Sequence, residues 1–145
     1  MLYHVDNLHV ALSEIERVLR PGGKLYCATN GPRHMQELDE LMPAFMPHTP
    51  ARDAIARFRL DNGMAALEQF FPRVSSHDRF DSLLVTEAEP LVAYCLSRTM
   101  VFARRAEIGP DQVARFHQHV EALLRARGGE FQVTKETGLF VASKG

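Results

Sequence analysis

The residues able to do chemistry are few and mostly solitary. His117 and His119 stand two apart in a stretch of helical periodicity, so their side chains diverge instead of stacking like the i,i+4 pair of a zinc site. Cys27 and Cys95 lie in apolar stretches with no second cysteine close enough for a metal knuckle or a redox pair, and read as reduced core residues. No serine or cysteine carries a recognisable nucleophile elbow around it. Glu14, Glu16, Glu37, Asp39 and Glu40 fall among helix charges and read as a solvated face. The adjacent glycines, Gly22-Gly23 and Gly128-Gly129, both follow apolar-periodic segments, which makes them helix stops and not a turn that opens a helix after a strand.

Positioning such residues falls to a series of short elements. Asp6 or Asn7 caps a helix whose apolar face is Leu8, Ala11, Leu12, Ile15, Val18 and Leu19, with Glu16 and Arg20 paired on the polar side. Pro21-Gly22-Gly23 ends it. Lys24 to Thr29 is apolar on both alternating faces, the pattern of a strand covered on both sides. After the Asn30-Gly31-Pro32 loop, Met35, Leu38, Leu41, Met42 and Phe45 make a second stripe that Pro43 ends or kinks.

A loop over Pro47 to Pro50 precedes a short helix over Ala51 to Phe58. The Asp61-Asn62-Gly63 turn leads into a helix with Leu67, Phe70 and Phe71 inward, stopped by Pro72, and a strand is expected near Val74 to Phe80. Thr86 and Glu89 have capping-box spacing, with Pro90 in the first turn, before Leu91, Val92, Tyr94, Cys95 and Leu96. Gly109-Pro110-Asp111 opens the clearest helix, lined by Val113, Phe116, Val120, Leu123 and Leu124. Two β segments, Glu130 to Lys135 and Leu139 to Ser143, flank a hairpin-like turn at Glu136-Thr137-Gly138.

At 145 residues the chain is the size of one domain, and 46% hydrophobic with 24% charged residues is globular composition. A formal net charge of -1 gives no bulk attraction to nucleic acid or to an anionic membrane. No apolar run approaches a bilayer span, and the start has no signal-peptide pattern, so the expected location is cytoplasmic.

Met1-Leu2-Tyr3-His4-Val5-Asp6, the helix with Glu14 and Arg17-Val18-Leu19, Pro21-Gly22-Gly23 and a buried strand follow one another in order. This block resembles class I S-adenosylmethionine-dependent methyltransferases, where a loop after the fourth strand leads into a helix ending in a Pro-Gly-Gly stop before the fifth strand. The resemblance implies an α/β fold. Specifically, it implies part of a doubly wound, Rossmann-like sheet, strands five to seven with flanking helices, in the C-terminal half of a single domain. Residues 51–109 would then be an insertion that lids the substrate pocket. Within it Phe70, Phe71 and Tyr94 are expected to be core residues.

The resemblance also assigns roles. Leu2, Tyr3 and His4 would face the methyl end of S-adenosylmethionine, with His4 orienting or deprotonating the nucleophile. Asn30 and Gly31 would reach substrate from the active-site edge of the sheet. The family's glycine-rich loop after the first strand, and its ribose-binding acid after the second, have no counterpart in this sequence. The expectation is therefore a truncated product or fragment of a small-molecule methyltransferase that binds S-adenosylmethionine weakly or not at all. A non-catalytic interaction or dimerisation module derived from the same fold is the alternative. Leu12, Ile15, Leu19, Leu25, Cys27 and Ala28 are expected in the core of the complete domain, and the edge from Lys24 to Asn30, lacking its neighbour, is expected to self-associate or to pair with the chain's own N-terminal residues.

Overall fold

The computed structural model describes residues 2–42, 56–102 and 108–145, without the side chains of 99–102. A 3-10 turn, Leu2–His4, precedes helix α1, Leu8–Val18. Asn7 is its cap: its side-chain oxygen accepts the Val10 N–H at 3.0 Å, satisfying one of the donors a helix start leaves unpaired. Gly22, at φ +73°, turns the chain into strand β1, Lys24–Asn30. Helix α2 is Gln36–Leu41, α3 Gly63–Glu68, strand β2 Arg73–Val85, α4 Ala88–Phe102, α5 Pro110–Ala126 and strand β3 Phe131–Ser143. The strands form one sheet in the order β1-β3-β2. The fold is thus α/β. Among the described residues no helix is long and apolar enough to cross a membrane.

Strand β3 corrects the expected hairpin. It is continuous through Glu136, Thr137 and Gly138, and its antiparallel register with β1 runs unbroken from Lys24 opposite Ser143 to Asn30 opposite Thr137. Gly138 takes none of the positive φ a turn glycine would, and its missing Cβ leaves space that the end of the Leu60 side chain occupies.

Two compact units divide the chain. The first comprises Met1–His34, Arg52–Asp81 and Lys135–Gly145. Its core is Leu12, Cys27, Phe58, Leu67, Phe71, Phe140 and Ala142, with Ile15, Leu19, Leu25 and Phe70 partly buried against it. Thr29 is buried too, its hydroxyl donating to the Phe58 carbonyl at 2.8 Å. The opposite face of β1 is open: Tyr26 is 61% exposed and Ala28 is exposed as well. Burial on both faces of this strand is therefore not what the structure has, because no described element lies over Tyr26 and Ala28. Nor does Glu16 pair with Arg20. Glu16 takes Lys144 Nζ at 3.3 Å, and Arg17 pairs with Glu14 at 3.0 Å.

The second unit comprises Met35–Ala51 and Ser82–Thr134. Leu38, Leu41, Met42, Leu91, Val92, Cys95, Phe116, Val120, Leu124, Phe131 and Val133 fill its core. Two acids expected on a solvated face are structural here. Asp39 pairs with Arg98 at 2.6 Å, both side chains mostly buried, and Glu37 accepts the Thr134 N–H at 2.9 Å and its hydroxyl proton. Burial pushes the Glu37 carboxyl up, but the Thr134 hydrogen bonds, together with those from its own backbone and from the Gln36 side chain, outweigh it and hold the group below its ordinary value. Helix α4 begins at Ala88, one residue after the cap spacing of Thr86 places it, and the Glu89 carboxylate meets His117 Nε2 at 3.2 Å. Tyr94 is 43% exposed, not core, with its hydroxyl donating to Met35 Sδ. The expected loop at 47–50, and 51–55 of the expected helix, lie outside the described residues; 56–58 are not helical.

Candidate functional site

The C-terminal end of β1 opens onto a cavity of about 460 Å³ in the first unit. Ala28, Thr29 and Asn30 supply one wall and Thr137, Gly138 and Leu139 of β3 the next. His77 and Arg79 of β2 and Tyr3 of the N-terminal 3-10 turn complete it. Register explains the convergence: Asn30 faces Thr137, and Ala28 faces Leu139, across the β1–β3 ladder. The alternation of a strand puts His77 and Arg79 on one side of β2, away from Asp78 between them. Asp78 instead accepts from the Ser76 hydroxyl and lies beside the position a Gly138 Cβ would take.

Of the residues singled out from sequence, Tyr3 and Asn30 line this cavity. Leu2 packs against the core of the first unit. His4 is exposed outside the cavity lining, its ring 4.4 Å from that of Tyr3. Gly31 is buried under Glu136, where its N–H donates to the Glu136 carbonyl at 2.9 Å.

Glu136 is the residue that sequence reasoning passed over. Only 3% exposed, its carboxylate accepts the Arg33 N–H at 2.8 Å and Arg33 Nε at 2.6 Å. Its own N–H donates to His34 Nδ1 at 3.2 Å. The loop after β1 is thereby tied to β3 at three successive points. Gly31 is the condition for this approach, since a Cβ there would lie 2.7 Å from Glu136 Cβ. Arg33 and Glu136 are 103 residues apart, so no local pattern announces the pair.

The thiols take no part. Burial pushes both Cys27 and Cys95 up to about 11, leaving them protonated at neutral pH. No group of three or more metal-ligating side chains exists among the described residues.

Residues 1–27 match the methyltransferase-domain family. The resemblance is thus to methyltransferases. No curated protein matches the chain. Among solved structures, a Bacillus halodurans protein assigned as a methyltransferase is similar at 15% identity and a TM-score of 0.52, over 99% of this chain and 65% of that one. This likeness extends the methyltransferase resemblance from the N-terminal block to the fold. The YcgJ protein of Bacillus subtilis gives 12% identity and 0.49, over 99% and 60%. Phosphoethanolamine N-methyltransferase 2 of Haemonchus contortus, solved with phosphomonomethylethanolamine and S-adenosylhomocysteine, gives 13% and 0.43, over 99% and 31%. The chain spans about two thirds or less of the lengths of these structures.

Proposed function

We propose that the chain is the acceptor-side portion of an S-adenosylmethionine-dependent methyltransferase acting on a small molecule. The observation that carries this reading is the cavity at the C-terminal end of β1, into which the methyltransferase-like block delivers Tyr3. In open α/β sheets ligands sit at that end of the strands. On this reading β1, β2 and β3 are the fifth, sixth and seventh strands of a doubly wound sheet. Their order here, with β3 antiparallel to β1, suits that numbering.

The cavity fits a methyl acceptor better than the adenosyl group. Among the described residues donors line it and no carboxylate does, so none of them answers to the acid that binds ribose hydroxyls. Methyl transfer is an in-line displacement that needs alignment above all. Asn30 and Tyr3 would provide it, the first held by the loop that Glu136 clamps. His4, beside Tyr3 but outside the cavity lining, would have to turn inward to take a proton from the acceptor. S-adenosylmethionine would supply the methyl group. A cytoplasmic location suits such an enzyme.

Calorimetric titration of S-adenosylmethionine into this chain, and into a form extended by in-frame residues upstream, tests the reading. Heat only from the extended form supports it; micromolar binding by the 145-residue chain overturns the acceptor-side assignment. A second reading, a dimerisation module, is favoured by one observation. Among the described residues β1 pairs on one edge alone, beside exposed Tyr26. A compact monomer at high concentration in solution scattering, with rapid hydrogen exchange along Leu25 to Thr29, would exclude it.

A further inference from the structure

Four side chains that line the cavity have polar atoms with no hydrogen-bond partner among the described residues: Asn30, Thr137, the His77 ring, and Arg79 at Nε and Nη1. Each can donate. Arg79 spends one nitrogen on Asp81, 3.0 Å away, which steadies the guanidinium and leaves its other donors available. By contrast the Thr29 hydroxyl is engaged by the Phe58 carbonyl. Among the described residues the charged or ionisable side chains in the lining besides Tyr3 are His77 and Arg79, and the one acid in contact with them, Asp81, pairs with Arg79 from outside that lining.

An array of donors around one basic fork matches a ligand that only accepts hydrogen bonds. Planar or tetrahedral oxyanions do this, and arginine recognises both with paired N–H groups. From this geometry we propose that the methyl acceptor carries an anionic group, a carboxylate or a phosphate, held by Arg79 and His77 with Asn30 and Thr137 completing its hydrogen bonds. The volume of about 460 Å³ leaves room for a small organic body beyond the anion. This rests on the acceptor-side reading above and names the substrate class that reading leaves open.

The test is an NMR titration of the full chain with inorganic phosphate and, separately, acetate, at constant ionic strength. Saturable shifts are expected at Arg79 Nε–H and at the Asn30 and Thr137 amides, with the tighter of the two probes identifying the anion. Arg79→Gln and His77→Gln should each weaken binding by about tenfold or more. Both residues are exposed, so the variants keep the fold, which dispersed amide spectra would verify. Absent shifts, shifts scattered over other basic residues, or affinities unchanged in both variants would overturn the proposal. Its failure is distinguishable from that of the enzyme reading. Missing anion shifts with S-adenosylmethionine heat in the extended form sink only the substrate class. Intact anion shifts without that heat sink only the methyltransferase assignment.

Discussion

The two units bury their shares of β3 by different rules. In the second, Phe131 and Val133 are core, packed among residues of α2, α4 and α5, and the acids of α2 are tied down by Arg98 and Thr134. In the first, Phe140 and Ala142 are core under α1 and α3, while Tyr26 and Ala28 of the neighbouring strand face outward. Burial thus falls on odd-numbered residues in one stretch of the strand and on even-numbered ones in the other. The second unit builds a packed scaffold with polar ties inside it. The first keeps one sheet face uncovered, and its donor-rich cavity opens at the end of β1. Core packing and the cavity lining therefore fall, Thr29 apart, on different residues of the same strands.

The sharpest way to break this contrast is Phe140→Ala. Phe140 is 1% exposed and packs edge-on against Phe58 at 5.7 Å between ring centroids, so its loss should cost about 3–5 kcal/mol by denaturant unfolding. A loss below about 1 kcal/mol would mean that the first unit does not rest on this core. Next comes Gly63→Ala, where the new Cβ meets Phe140 Cε2 at 2.5 Å and Phe58 Cε2 at 3.2 Å; overpacking predicts a loss of about 1–3 kcal/mol.

Acid should act on the second unit through Glu37. Its folded-state pKa is lowered, so its contribution is present above the unfolded carboxyl value and is lost as pH falls through the folded one. Stability should therefore decline below the ordinary glutamate range, and Glu37→Gln should flatten that decline. An unchanged acid limb in the variant would remove Glu37 from the account. The smallest effect is expected at Tyr26→Ser on the open face, within about 0.5 kcal/mol, and a larger loss would show that this face is covered after all.

Much of the first unit was legible because its signals are local. Asn7 caps α1, Gly22 turns the chain, and Leu12 and Cys27 are buried as the periodicities require. Leu25, Ile15 and Leu19 are partly buried, and Ala28 is not. What local reading mistook was a residue whose type served a distant need. Gly138 resembles turn chemistry but makes room for Leu60, and Glu37 and Asp39 resemble surface charge but find Thr134 and Arg98. The cavity was half legible: Tyr3 lies in the N-terminal block and Asn30 at the end of the strand that follows it, whereas His77, Arg79 and Thr137 are brought in by the sheet order. Pairing partners a hundred residues away leave no mark in either neighbourhood.

The β1–β3 ladder has a consequence for how the chain is made. Cys27 and Phe140, opposite each other in that ladder, are 113 residues apart in sequence. A nascent chain that has just completed β1 must therefore wait through more than a hundred further residues before the partner strand exists. During that interval the edge of β1 that β3 covers is open to other chains. Loop closure over such a span is slow, and species with unpaired apolar strands are the ones that aggregate. Yield in cells should accordingly respond to translation speed and chaperone supply more than to the stability of the finished fold.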